Sequence, residues 1–204
     1  SSESERVALK RGALVLANQL GDPEAVLGAA MELLNGSGRP QDQAEKLRIA
    51  EQYATYPRRG VRARTLGLFL RWASSTLEEW GRREEAEELE RKRRELVERT
   101  GDAFLQATTI ISSASLATRD GRLEEAATLI EALATTTENL GMPLLGRQMA
   151  AVGHTALVHL GRGEEILSSL DAYVHMAGIG PSDQGLAGQS VAASRARAMA
   201  SLDR

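Results

Sequence analysis

Apolar residues recur at helical spacing along the whole chain, and short Gly- and Pro-containing breaks separate the helical stretches. The spacing predicts a lead helix over residues 3–19, which Gly21-Asp22-Pro23 ends. The remainder is predicted to form four helix–turn–helix blocks of forty residues and then one more helix, over about 185–203. In order, these are the repeats 21–60, 61–100, 101–140 and 141–180, followed by residues 181–204 as a terminal or truncated fifth-repeat helix.

Block two illustrates the pattern within a repeat. Its first helix carries Leu66, Phe69, Leu70, Ala73, Leu77 and Trp80 at steps of three and four, which predicts a wide buried stripe. Its second helix, from Arg82 to Arg99, is charged almost all round. The run Arg91-Lys92-Arg93-Arg94 is therefore interpreted as a solvated outer face neutralised by glutamates, rather than as an anion-binding patch.

A short motif recurs at the turn inside the blocks. Gly81-Arg82-Arg83-Glu84-Glu85-Ala86, Gly121-Arg122-Leu123-Glu124-Glu125-Ala126 and Gly161-Arg162-Gly163-Glu164-Glu165-Ile166 stand forty positions apart. Glycine suits the end of a helix, and acidic residues suit the first turn of the next one. Self-similarity at such a period is typical of stacked helical repeats. The pattern predicts an all-α fold, an α-solenoid of stacked antiparallel helix pairs with a period of about 40 residues, in a single helical-repeat domain over residues 1–204.

The motif at Gly121 resembles the inter-helix turn of tetratricopeptide repeats, and Gly81 and Ala86 match it. The chain departs from that family because the usual repeat is about 34 residues long. The aromatic residue usual two positions after the turn glycine is also replaced, by Arg83, Leu123 and Gly163. The repeats are similar to the C-terminal arm of large bacterial, especially actinobacterial, signal-transduction ATPase-type transcriptional regulators or cyclases. This resemblance implies a regulatory or protein-interaction arm of a larger protein.

Composition narrows the function classes. Aromatic residues make up 3% of the chain and hydrophobic residues 42%, so the core is predicted to consist of Leu, Ala, Ile and Val. A net charge of −3 with interspersed signs argues against direct nucleic-acid binding. The lack of cysteine excludes disulfides and thiolate chemistry. No apolar run is long enough to span a bilayer, so we expect a soluble, cytoplasmic protein that does not enter the membrane.

Signatures of catalysis are missing from the sequence. It contains no phosphate-binding loop, nucleophile elbow or His-Glu-x-x-His motif. His154 and His159 are five positions apart, which is not the spacing that places two imidazoles on one helical face. We therefore expect no enzyme, metal or cofactor. A remote alternative is an enzyme that uses His154 with Asp171 or Glu164.

The preferred function is a non-enzymatic module that binds a protein or peptide partner, or a small effector, on the first helices of the blocks. Thr108, Ser112, Ser113 and Ser115 either line a groove there or only allow close helix packing. The candidate binding residues on this expected concave face are Arg71, Gln106, Ser113, Gln148 and His154. The alternative is a homodimerisation scaffold that uses Leu186, Val191 and Met199, from the stripe that Leu202 completes on the last helix.

Overall fold

The computed structural model describes residues 3–35, 40–142, 153–179 and 186–202, and these ranges contain helices and no strand. The all-α prediction is confirmed for this part of the chain. The helices are α1 (Glu3–Leu20), α2 (Pro23–Leu34), α3 (Gln43–Ala54), α4 (Ala63–Glu79), α5 (Arg83–Thr100), α6 (Ala103–Arg119), α7 (Leu123–Asn139), α8 (His154–His159), α9 (Gly163–Ala177) and α10 (Leu186–Leu202), with a 3₁₀ helix at Pro40–Asp42. None of these helices is long and apolar enough to cross a membrane.

Glycines with positive φ mark the helix boundaries at regular steps. Gly81, Gly101, Gly121, Gly141 and Gly161 have φ between 62° and 76° and follow one another every twenty positions. Only glycine adopts this left-handed conformation without a steric penalty. α5, α6, α7 and α9 each begin two residues after one of these glycines, so the predicted helix boundaries at the motif agree with the structure.

The chain divides into two compact units, Ser1–Leu105 and Gln106–Arg204. In the first unit, α4 packs against α2, α3 and α5, and α2 also contacts α1. Its core is aliphatic with one phenylalanine and one tyrosine, and it includes Val26, Leu27, Ile49, Tyr53, Phe69, Leu70 and Leu77. The predicted single domain over residues 1–204 stays a prediction.

Three clusters of buried residues join the described helices of the second unit, and one of them consists of Ala117, Ala126 and Ala156. Ala107, Ile111 and Ala114 of α6 pack with Ile130 and Leu133 of α7. A third cluster joins α7 to α10 through Ala127, Leu157, Ile166, Leu170 and Ala198. Alanines at these contacts let neighbouring helices approach closely, and no aromatic residue of the described ranges belongs to any of the three clusters.

The sequence predicted that the charged run of α5 is a solvated outer face, and the structure shows that it is only partly solvated. Arg91 and Arg94 are exposed, but Arg93 is completely buried. Glu90 pairs with Arg93, three positions later on the helix. Charge alone did not reveal which side of α5 faces its neighbours.

Three large apolar side chains predicted to be buried are exposed. Trp80 is 46% exposed because it lies just beyond the end of α4, where it is the C-cap residue. Met199 and Leu202 are 56% and 41% exposed, while Ser194 and Ala198 are buried. A Cβ atom on Gly163 of α9 would lie 2.7 Å from the Ala198 carbonyl oxygen, so α9 and α10 meet closely at Ala198.

Candidate functional site

The candidate site lies on α4, at the edge of the helix that its packing leaves uncovered. Leu66, Phe69, Leu70, Ala73 and Leu77 are the buried apolar face, while Arg71, Trp72 and Ser75 are only partly buried. Trp72, Ser75, Thr76 and Glu79 are related by helical steps of three, four and seven, so they share one side of α4. The hydrophobic periodicity that buries one face therefore presents this polar one.

Arg71 holds a guanidinium group against the Trp72 ring. The Arg71 Cζ atom lies 4.5 Å from the ring centroid, within the range of a cation–π contact. Burial lowers the pKa of Arg71, the charge of Arg93 lowers it further, and Glu90 opposes both. Arg71 makes no hydrogen bond or ion pair with another described residue. A group with five N–H donors is thus partly desolvated without an acceptor.

The neighbouring pair on α5 does not supply that acceptor. Arg93 is fully buried, and its Nε and Nη2 atoms donate to Glu90 Oε2 at 3.0 and 2.6 Å. Glu90 is therefore already engaged by Arg93. An anionic group of a ligand could pair with the Arg71 guanidinium, which has no ion-pair partner among the described residues.

A cleft between α2, α3 and α4 adjoins the other residues of this face. It has a volume of about 200 Å³, and we call it the Trp72 cleft. Burial lowers the pKa of Lys46, while the charges of Glu79 and Asp42 raise it. Thr76 Oγ1 donates to the Trp72 carbonyl oxygen at 3.0 Å, so this hydroxyl is already used within α4. The residues that line the cleft are Leu34, Gln43, Lys46, Trp72, Ser75, Thr76 and Glu79.

The other predicted binding residues belong to the second unit. Gln106 is exposed and Ser113 is partly buried, both on α6. Gln148 lies outside the described residues. Arg71 lies in the first unit, so the predicted concave face that joins all five residues stays a prediction.

His154 is buried rather than presented to solvent. It is 5% exposed, and neither ring nitrogen has a hydrogen-bond partner in the described part of the chain. Asp171, one of its two predicted catalytic partners, instead accepts a hydrogen bond from Arg195, and Glu164 is exposed on α9. Burial lowers the pKa of His154, and the positive charge of Arg197 lowers it further. His154 presents neither ring nitrogen to solvent, and its predicted binding role stays a prediction.

Sequence reasoning missed Lys46 and Arg93, which are both buried beside the site. A signal for Lys46 was present, because Ile49, Ala50 and Tyr53 follow it at helical steps and are all buried. A lysine on the same face as these residues is expected to be buried too. A comparable signal was present for Arg93, because Leu89 stands four positions before it, Leu96 and Val97 stand three and four positions after it, and all three are buried.

No group of three His, Asp or Glu side chains within the described ranges is arranged to hold a metal ion. Neither protein-family models, nor curated proteins, nor solved structures gave a match to this chain. The function is therefore argued from the geometry of the site.

Proposed function

We propose that this chain is a non-enzymatic binding module, the regulatory arm of a larger signalling or transcription-control protein, and that it recognises an anionic group of a protein, peptide or small effector at Arg71. The observation that carries the proposal is the guanidinium group of Arg71, which is partly buried and stacked on Trp72 without an acceptor. A carboxylate or phosphate group would supply the missing acceptor and offset the desolvation.

The fold that we propose for this module is a tetratricopeptide-like solenoid of antiparallel helix pairs with a period of about 40 residues. The twenty-residue spacing of the glycines with positive φ supports it, since two such steps make one helix pair. The packing of α2 on α3 and of α4 on α5, within the first and second blocks, supports it as well. In such a repeat, the first helix of each pair supplies the binding face, and Arg71 lies on the first helix of block two.

The experiment compares peptide binding by the protein and by variants of Arg71. We would probe an array of ten-residue peptides with Asp and Glu at set positions, next to matched peptides with Asn and Gln. We expect preferential capture of acidic peptides by the unmodified protein. Arg71→Gln should weaken it about 10- to 100-fold, because a hydrogen bond to a charged group contributes about 1.5–3 kcal/mol.

Two control variants make the result specific. Arg71→Lys keeps the charge but loses the planar fork, so it should retain only part of the binding. Arg59→Gln removes an exposed arginine outside the site and should bind as the unmodified protein does. Equal capture by Arg71→Gln and the unmodified protein, or equal capture of acidic and neutral peptides, would refute the proposal.

A homodimerisation scaffold is the second candidate, and the exposed Met199 and Leu202 of α10 favour it. Light scattering across a concentration series would detect a dimer, and Met199→Glu should then shift it toward the monomer. A mass that stays monomeric at high protein concentration would remove this candidate.

A further inference from the structure

The Trp72 cleft holds polar side chains that have no hydrogen-bond partner among the described residues. Gln43, Ser75 and Glu79 line it, and none of the three forms a hydrogen bond or ion pair with another described residue. They come from two helices, since Gln43 opens α3 while Ser75 and Glu79 lie one turn apart on α4. Polar side chains that converge on a cleft without partners in the protein are typical of a small-molecule site.

The charges in the cleft have opposite signs. Lys46 carries the positive charge and is only 8% exposed. Glu79 carries the negative charge and is exposed. The charge of Asp42 raises the pKa of Lys46, and the charge of Lys10 lowers it. Because an ammonium group has three N–H donors, Lys46 can serve a ligand carboxylate as well as an acid of the protein.

Apolar surface completes the cleft. Leu34 of α2 lies among the lining residues, and Trp72 contributes its indole ring. A cavity of about 150 Å³ holds benzene, so a space of 200 Å³ admits a molecule of roughly eight non-hydrogen atoms. This is the size of an amino acid with a short aliphatic side chain.

We infer that the Trp72 cleft binds a small zwitterion, an α-amino acid with a short aliphatic side chain, whose ammonium group pairs with Glu79 and whose carboxylate group pairs with Lys46. Gln43 donates its amide N–H to the ligand carboxylate, and Ser75 accepts a hydrogen bond from the ligand ammonium. The aliphatic side chain lies against Leu34 and Trp72. This site goes beyond the recognition of an anionic group at Arg71, because its ligand pairs with Lys46 and Glu79 and not with the Arg71 guanidinium. The two sites have only the Trp72 ring in common.

The test follows ligand binding by the fluorescence of Trp72, which lines the cleft. The chain has two tryptophans, and Trp80 is at the end of α4, 46% exposed, so Trp80→Phe leaves Trp72 as the only indole. In this background, L-valine is titrated at constant ionic strength next to isobutylamine, which lacks the carboxylate, and isovalerate, which lacks the ammonium group. We expect a saturable change in fluorescence with valine and at least tenfold weaker binding of each analogue.

Variants then assign the response to the cleft. Glu79→Gln changes an exposed residue without disturbing the core, and it should weaken valine binding at least tenfold. Lys46→Met should do the same, with circular dichroism as the check that it folds. Glu98→Gln removes an exposed carboxylate of α5 that does not line the cleft, and it should bind valine normally.

Three results would overturn the inference. They are no saturable response to valine, equal binding of valine and either analogue, and normal valine binding by Glu79→Gln. Arg71→Gln separates the two sites, since it should lose acidic peptides and keep valine. If Arg71→Gln abolished the valine response while Glu79→Gln kept it, the ligand would lie at Arg71 and not in the cleft.

Discussion

His154→Leu should stabilise the protein, although it removes a polar side chain. Both ring nitrogens of His154 are buried and lack a partner among the described residues, and the residue is 5% exposed. Leaving a buried polar group unsatisfied costs about 1–3 kcal/mol, whereas a hydrophobic change of similar volume costs less than about 1.5 kcal/mol. We therefore expect a net gain of about 1 kcal/mol in the free energy of unfolding at pH 7.5.

The gain should depend on pH in a predictable direction. Burial lowers the pKa of His154 below its ordinary value of 6.5, and Arg197 lowers it further. Below pH 6.5 the unfolded chain binds a proton at this position and the folded protein does not, so the unmodified protein loses stability there. The advantage of His154→Leu should grow by up to about 1.4 kcal/mol for each pH unit below 6.5, until the folded-state pKa is reached.

Urea unfolding followed by circular dichroism, at pH 7.5, 6.5 and 5.5, measures both effects. The difference between the unmodified protein and the variant cancels the titration of carboxylates that they share. His159→Gln and His175→Gln change exposed residues and serve as controls for the loss of a surface histidine, with an expected change in stability of less than about 0.5 kcal/mol. A destabilised His154→Leu, or a difference that stays constant from pH 7.5 to 5.5, would refute the reasoning.

Two further predictions concern the core and the contact between α2 and α4. Leu133→Ala should reduce the free energy of unfolding by about 2–5 kcal/mol, because Leu133 is fully buried. Leu9 is 71% exposed, so Leu9→Ala should change the free energy of unfolding by less than about 0.5 kcal/mol. Similar losses for the two variants in urea unfolding would contradict the assigned burial. Burial raises the pKa of Glu24, but its hydrogen bonds with Thr65 and Arg62 outweigh this effect and lower the pKa from 4.5. The stability that Glu24 contributes is therefore present above pH 4.5 and is lost as the pH falls through the lowered pKa. In acid unfolding, Glu24→Gln should lose less stability than the unmodified protein over this pH range. An unchanged acid profile would be the contrary result.

Helix positions followed from local chemistry, which is why the sequence was enough to predict them. Gly81, Gly121 and Gly161 end or begin helices because their left-handed conformation requires no neighbour other than the chain itself. α1 and α10, over Glu3–Leu20 and Leu186–Leu202, also lie within a residue or two of the predicted bounds. Periodicity likewise identified Phe69, Leu70 and Leu77 as core residues of α4.

The tertiary structure alone decided which polar residues are buried and what they adjoin. Arg71 was a candidate from the sequence, but its stacking on Trp72 and its lack of an acceptor depend on the packing around α4. Arg93 and Lys46 were not identified as buried, although each lies in register with apolar residues of its helix, because only the neighbouring helices decide whether a charged side chain on that face is covered. Periodicity specifies a helix and its apolar side. The surroundings of a charged group depend on residues far away in the chain, such as Glu79 for Lys46, which only folding brings near.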